Sequence, residues 1–253
     1  MLSEELEGIS LALYNGEPER EIINYFLSKE EEIGFIKEVC LDSRSGLNPE
    51  IVNRILENHV SLQQNKVFIY IPSINLYVAK ERSHINKDWF ECHKLLQANG
   101  ERMLILPEFI EFLKYAKINL PEIYKKITGL GETWRAEWLD ADFEVKKGKL
   151  CINYNHILDS SGNLIPHNSE PLDRDTLMKD KRISLDDYLN NNHTSQVLLS
   201  KKIKSGDSYY WYPRNDNNSV ARFYAGSDGT SLGCLRSPSY QDSVLGVRAV
   251  RHA

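Results

Sequence analysis

Thiols, imidazoles and carboxylates are the groups in this chain that could do chemistry. Cys92 stands next to His93, and a thiol beside an imidazole is the pairing that activates a nucleophilic cysteine. Cys234 is a second candidate thiol. Glu137, Asp140 and Asp142 cluster beside Trp134 and Trp138 and could surround Ca²⁺ with oxygen ligands. His84, His93, His156, His167 and His193 show neither HxxxH nor HExxH spacing, so a metal site could arise among them only by tertiary convergence. Cys92 falls on the apolar face of a helical pattern, where a buried, inert thiol is the expectation. The carboxylates are expected to pair with Arg135 or Arg174 rather than with an ion. GLGE at 129–132 is too short for a phosphate loop and opens no helix. The expectation is a protein with no catalytic residues, no metal ligands and no cofactor.

Composition narrows the classes further. Of 253 residues, 41% are hydrophobic and 26% charged, which supports a packed core and excludes global disorder. A chain of this length forms one domain, or one domain with an accessory piece. Asp and Glu (36) outnumber Lys and Arg (31), whereas neutralising phosphates needs a clustered basic excess, so no nucleic acid is expected as partner. The longest apolar run, Val67 to Ile71, is strand-sized, and no membrane insertion is expected. The opening MLSEELEGISLALYNGE lacks a basic stretch followed by an apolar core, so no secretory leader is expected and the expected location is the cytoplasm or a virion. Cys40, Cys92, Cys151 and Cys234 are far apart and form no CxxC pair, which gives neither a zinc signature nor a disulfide framework.

Residues 1–64 read as a helical segment. Ile22, Ile23, Phe26, Ile33, Ile36, Val39 and Cys40 recur at three-to-four-residue intervals, and Asn48, Pro49 and Glu50 mark a second helix start. From residue 65 to 253 a separate domain is expected. VFIYIPSINLYVAKE predicts two strands about Pro72. DWFECHKLLQANG predicts a helix ending at Gly100, and LPEFIEFLKYAKI one opening with Pro107 and Glu108. Beyond Gly129, Trp, Tyr, Gly, Asn and Asp dominate, with short strand candidates such as FEV, KLCINYNH and YYWYP. A short helix capped by Ser184 is expected within ISLDDYLNN, and DSSGNLIPHNSEPLDRD as a surface excursion.

Two stretches carry a resemblance. WFECHKLLQANGERMLILPEFIEFLKYA resembles the helix, Gly-x-Arg, Leu-Pro, helix signature of C-type-lectin-fold proteins related to formylglycine-generating enzymes, departing from it at Met103 to Leu106. WYPRNDNNSVARF and the later LGVRAVR, with GETWRAEWLDADF and GKLCINYNH between the two stretches, are similar to the variable proteins of diversity-generating retroelements. The similarity spans roughly residues 66 to 253. It implies an α+β fold of the C-type-lectin type, with two helices on a small antiparallel sheet and long loops. It also implies a receptor-binding role, in a viral or prokaryotic setting, for a hypervariable surface that recognises a protein or cell-surface target. In such systems an error-prone reverse transcriptase randomises template adenines, and many target codons are Asn codons. Randomising their first two bases never yields Lys, Glu, Gln, Trp or Met.

Residues 219–247 contain no Lys, Glu, Trp or Met, and one Gln, Gln241. The candidate variable, ligand-binding positions in this region are Tyr224, Gly226, Gly229, Thr230, Gly233, Leu235, Ser237, Ser239, Tyr240, Asp242 and Val244. Trp211, Arg222, Phe223, Cys234, Arg236 and Arg248 form the expected structural frame. Leu232, Cys234, Arg236 and Pro238 alternate with Gly233, Leu235, Ser237 and Ser239, so in an extended stretch one set points inward and the other toward solvent. Tyr224 and Tyr240 are the expected contact anchors, because Tyr offers a large amphipathic surface at low entropic cost. Trp134, Trp138 and Trp211 are expected as core anchors under the loops. The sugar-binding tripeptides of true lectins are missing. Two other functions stay open: an enzyme related to the formylglycine-generating type, which would require a reactive thiol or metal, and a structural virion or surface component.

Overall fold

The computed structural model describes residues 67–129, 134–190, 193–227 and 229–252. The chain divides after Val67, and the helical segment expected over residues 1–64 lies outside the described residues. The second unit begins with a hairpin of β1 (Phe68–Ile71) and β2 (Leu76–Ala79), turned at Asn75 in the left-handed region. Helix α1 (Trp89–Ala98) starts at a capping box in which the Asp88 carboxylate accepts from the Glu91 amide and Glu91 accepts from the Asp88 amide. It stops before Gly100, whose φ of +68° only glycine adopts freely. After β3 (Arg102–Met103) comes α2 (Leu106–Asn119), with Glu108 accepting from the Ile105 amide and held bidentately by Arg102. Helix α3 (Pro121–Thr128) follows directly.

Strand β4 (Arg135–Lys146) then pairs with β5 (Lys149–Leu158), and β5 with β6 (Leu164–Pro171). Next come β7 (Lys181–Ile183), α4 (Leu185–Leu189) capped by Ser184, and β8 (Ser208–Trp211). The chain closes with β9 (Ser219–Gly226), β10 (Gly229–Arg236), β11 (Leu245–Val247) and β12 (Ala249–His252). The strands form two sheets: a four-stranded one in the order β1-β2-β12-β3, and an eight-stranded one in the order β6-β5-β4-β9-β10-β8-β7 with β11 beside β4.

This corrects the expected α+β arrangement of two helices on a small antiparallel sheet. The described residues are mostly β, with twelve strands in two sheets against four helices, and two of the pairings, β10 with β8 and β11 with β4, are parallel. Strand β4 is disguised in the sequence by Glu137, Asp140 and Asp142, which suggest a polar loop. The first two are buried in the strand, and a strand covered on both faces loses the alternation that would reveal it. Strand β6 runs through the expected surface excursion. Its Pro166 and Pro171 are tolerated because β6 is an edge strand.

Two apolar clusters hold the unit together. In one, Phe109, Phe112 and Leu113 of α2 pack with Leu139, Phe143, Ala221, Phe223, Leu232 and Cys234 of the large sheet. In the other, Trp89, Cys92 and Leu96 of α1 pack with Trp138, Leu245 and Val247. One side of β9 and β10 is thereby committed to the core, which leaves the other side to carry a site.

Candidate functional site

On β9 the side chains alternate. Ala221, Phe223 and Ala225 belong to the buried face, while Arg222 and Tyr224 lie opposite, and β10 places Ser231 across from Tyr224 and Gly233 across from Arg222. Strand β8 brings Tyr209 and Trp211 alongside Ser231 and Gly233. These strands and Trp134 enclose a cleft of about 240 Å³ lined by Trp134, Arg182, Tyr209, Trp211, Tyr224 and Ser231, among others. Trp134 and Tyr224 rings lie 5.9 Å apart, and Tyr209 and Trp211 4.6 Å apart. Trp138 is a core anchor as expected, but Trp134 and Trp211 are half-buried walls of this cleft, a correction to their assignment as core anchors. Residue type alone does not say on which side of a strand a tryptophan falls.

Arg222 joins the cleft to the loop that follows β10. Only 4% exposed, its guanidinium lies 4.5 Å from the Tyr224 ring, 5.5 Å from Trp134 and 5.6 Å from Tyr240. Arg236 stacks on the other aromatic anchor, 4.3 Å from the Tyr240 ring. Neither arginine has a carboxylate partner among the described residues; burial, then the Arg236 charge, pushes Arg222 down to about 10, so it remains cationic at neutral pH. The loop itself is ordered by local bonds. Trp89 donates its amide to Pro238 O at 2.9 Å, Gln241 donates to Glu91, and the Tyr240 hydroxyl donates to Asp242 at 2.8 Å.

The eleven candidate variable positions do not all share one exposure. Ser239 is exposed, and Tyr224, Leu235, Ser237, Tyr240, Asp242 and Val244 are half-buried. Thr230 is buried on the same side of β10 as Leu232 and Cys234, with its hydroxyl bonded to that of Ser208, so it belongs to the frame. Gly226 and Gly233 are covered by neighbouring rings: a Cβ at Gly226 would meet Trp134 at 2.4 Å, and one at Gly233 would meet Tyr224 at 3.2 Å. Gly229 has φ of +102°, and a Cβ there would lie 2.7 Å from the Asp207 carbonyl oxygen. Gly229→Val is therefore expected to lower the unfolding free energy by about 1–3 kcal/mol, measurable by urea denaturation, whereas a free surface position would change it by about 0.5 kcal/mol or less.

Of the expected frame, Phe223 and Cys234 are in the core, and Arg248 is buried with Glu137. Burial pushes the Cys234 thiol far above its ordinary range, and burial with the Asp88 and Glu91 charges takes Cys92 up to about 12. Neither thiol is a thiolate near neutral pH, which is what nucleophilic chemistry needs. Arg174 forms no ion pair among the described residues. Glu137 pairs with Arg135 at 2.9 Å as well as with Arg248.

Asp140 and Asp142 meet histidines instead. His156 of β5 lies between them, its Nδ1 against Asp140 Oδ1 and its Nε2 2.8 Å from Asp142 Oδ1. His93 of α1 approaches the same Asp140 oxygen at 3.7 Å. Burial alone would lower His156, but the two carboxylates override it and push it up to about 9; burial dominates at His93 and takes it down to about 4. Tertiary convergence has thus assembled a group that spacing along the chain does not reveal, since His93 and His156 are separated by more than sixty residues and lie on different elements.

Compared with models of known families, with curated proteins and with solved structures, the chain finds no match.

Proposed function

We propose that the protein is a non-enzymatic binding protein that displays a hypervariable surface, generated by retroelement mutagenesis, for recognition of a protein or cell-surface target. The observation that carries this reading is the division of β9, β10 and the following loop. Phe223, Leu232 and Cys234 fill the core, while Tyr224, Leu235, Ser237, Ser239, Tyr240, Asp242 and Val244 retain contact with solvent. The cleft supplies what a recognition surface uses: rigid aromatic rings, an arginine and small polar groups. The bonds from the Trp89 amide to Pro238 and from Gln241 to Glu91, made by none of these seven positions, hold the loop and lower the ordering cost of binding.

Sequencing the gene in many isolates is the direct test. Differences are expected to concentrate at those seven positions, drawn from the amino acids that Asn-codon randomisation allows, with Phe223, Leu232, Cys234 and Arg248 constant. A near-copy of the 3′ stretch beside a reverse-transcriptase gene is expected as well. Differences spread evenly along the chain, with no such copy, would overturn the proposal.

A further inference from the structure

We propose that His93, Asp140 and His156, with Asp142 at the rim, form a binding site for one divalent transition-metal ion of the zinc type. The site is built by α1, β4 and β5, not by β9 and β10, and it stands independently of the proposed binding function.

The donor set suits such an ion. Two imidazoles and one carboxylate are ligands zinc takes, whereas Ca²⁺ and Mg²⁺ prefer oxygen alone. The geometry fits as well. One donor atom from each of His93, Asp140 and His156 lies within 4.8 Å of the others. His93 Nε2 and Asp140 Oδ1 are 3.7 Å apart, close to the roughly 3.3 Å between two donors on a tetrahedral zinc. The two imidazole centroids are 5.5 Å apart, against about 5 Å for two rings sharing one zinc.

His93 supplies the independent sign that a ligand is missing from the account. It is fully buried, yet neither ring nitrogen has a hydrogen-bond partner, although buried polar groups are almost always paired. An ion beside Asp140 Oδ1 gives Nε2 its partner.

The surroundings orient the Asp140 carboxylate as metal sites require. The His156 amide donates to Asp140 Oδ2 at 3.0 Å, which fixes the carboxylate and leaves Oδ1 facing the imidazoles. Asn155, just before His156, adopts a left-handed φ of 56° and is itself unpaired between the Tyr154 and His156 rungs of the β5–β6 ladder. The Trp89 ring packs edge-on against both imidazoles, at 4.3 and 4.9 Å, and keeps the group dry. Asp142, with its side chain 26% exposed, holds the other ring nitrogen of His156 at 2.8 Å and marks the entry path, and water takes the fourth position on the ion. Binding requires one ring nitrogen of His156 to exchange a carboxylate for the ion, with release of a proton to solvent.

The test uses the full chain, stripped with a chelator and titrated with Co²⁺ and then Zn²⁺. One Co²⁺ per chain is expected, with the intense visible absorption of a four-coordinate site, lost when Zn²⁺ displaces it, and Zn²⁺ is expected to raise Tm. His93→Phe keeps a buried ring without the donor. It is expected to weaken Co²⁺ binding more than about 100-fold, beyond the 10–100-fold typical of losing a supporting group, with near-ultraviolet circular dichroism unchanged. X-ray absorption of the Co²⁺-loaded wild type, which does not depend on any variant folding, should show two imidazoles and oxygen ligands. No saturable uptake of either ion, uptake unaltered in folded His93→Phe, or a ligand shell with sulfur or with oxygen alone would each overturn the proposal. The first result would leave a closed network of histidines and aspartates.

Discussion

Replacing Arg248 by Met is expected to lower the unfolding free energy by about 3–5 kcal/mol, the cost of breaking a buried ion pair from one side. Arg248 and Glu137 are each 1% exposed. Arg248 Nε donates to Glu137 Oε2 at 2.9 Å and Nη2 to Oε1 at 2.7 Å, while Nη1 donates to the carbonyls of Ala79 and Lys80. One side chain thus ties β4 to the end of β2 and the residue that follows it. Burial alone would raise the Glu137 pKa, but Arg248, then Arg135 and Arg82, more than offset it and hold the carboxyl below the usual range. The sign follows: the contribution of Glu137 is present above the ordinary glutamate pKa and is lost as pH falls through its lower folded value. Arg248→Met removes the largest opposing charge, so its acid unfolding should begin at a higher pH than that of the wild type. Arg248→Met/Glu137→Leu should recover only part of the loss, because Ala79 and Lys80 still lack their donor and Arg82 and Arg135 lose their carboxylate. Urea unfolding of the four proteins in the cycle measures this. If the two single losses simply add, the pair contributes nothing as a pair.

The helices were legible because their signals are local. Asp88 and Glu91 write the start of α1 and Gly100 its end, and Ser184 marks α4, all within a few residues. The large sheet was not, because its evidence is distributed. Glu137 lies in the middle of β4 as a buried charge, and what makes that tolerable is Arg248, far away in sequence. Alternation identified the two sides of β10 at Leu232 and Cys234, and the same parity puts Thr230 inward against Ser208. Residue type drew Thr230 into the variable set, and parity is the better guide. The irregular pairing between Gly233 and Arg236 ends the clean alternation, which is why Arg236 is half-buried and not in the core. The histidine group had no local signal at all: α1, β4 and β5 must dock before His93 and His156 meet across Asp140.

Phe223→Ala and Leu235→Ser should differ by several kcal/mol, although the two residues lie on paired neighbouring strands. Phe223 is 2% exposed and packs on Phe109 with ring centroids 5.1 Å apart, at the contact between the large sheet and α2. Truncating it leaves a cavity that the surrounding helix and strands fill only partly, at a cost of about 3–5 kcal/mol. Leu235 is half-buried and belongs to neither apolar cluster, so its replacement should cost about 0.5 kcal/mol. That asymmetry is what a surface must have if it is to accept many sequences without losing its fold, because a domain of this kind has only about 5–15 kcal/mol of stability in total. Exchanges at the cost of Leu235, about 0.5 kcal/mol each, remain within that margin, whereas two at the cost of Phe223 consume most of it. Urea titration of the two variants decides the matter. A Leu235→Ser loss comparable to that of Phe223→Ala would mean that the outward side of these strands also carries packing, and a surface so built could not be varied freely.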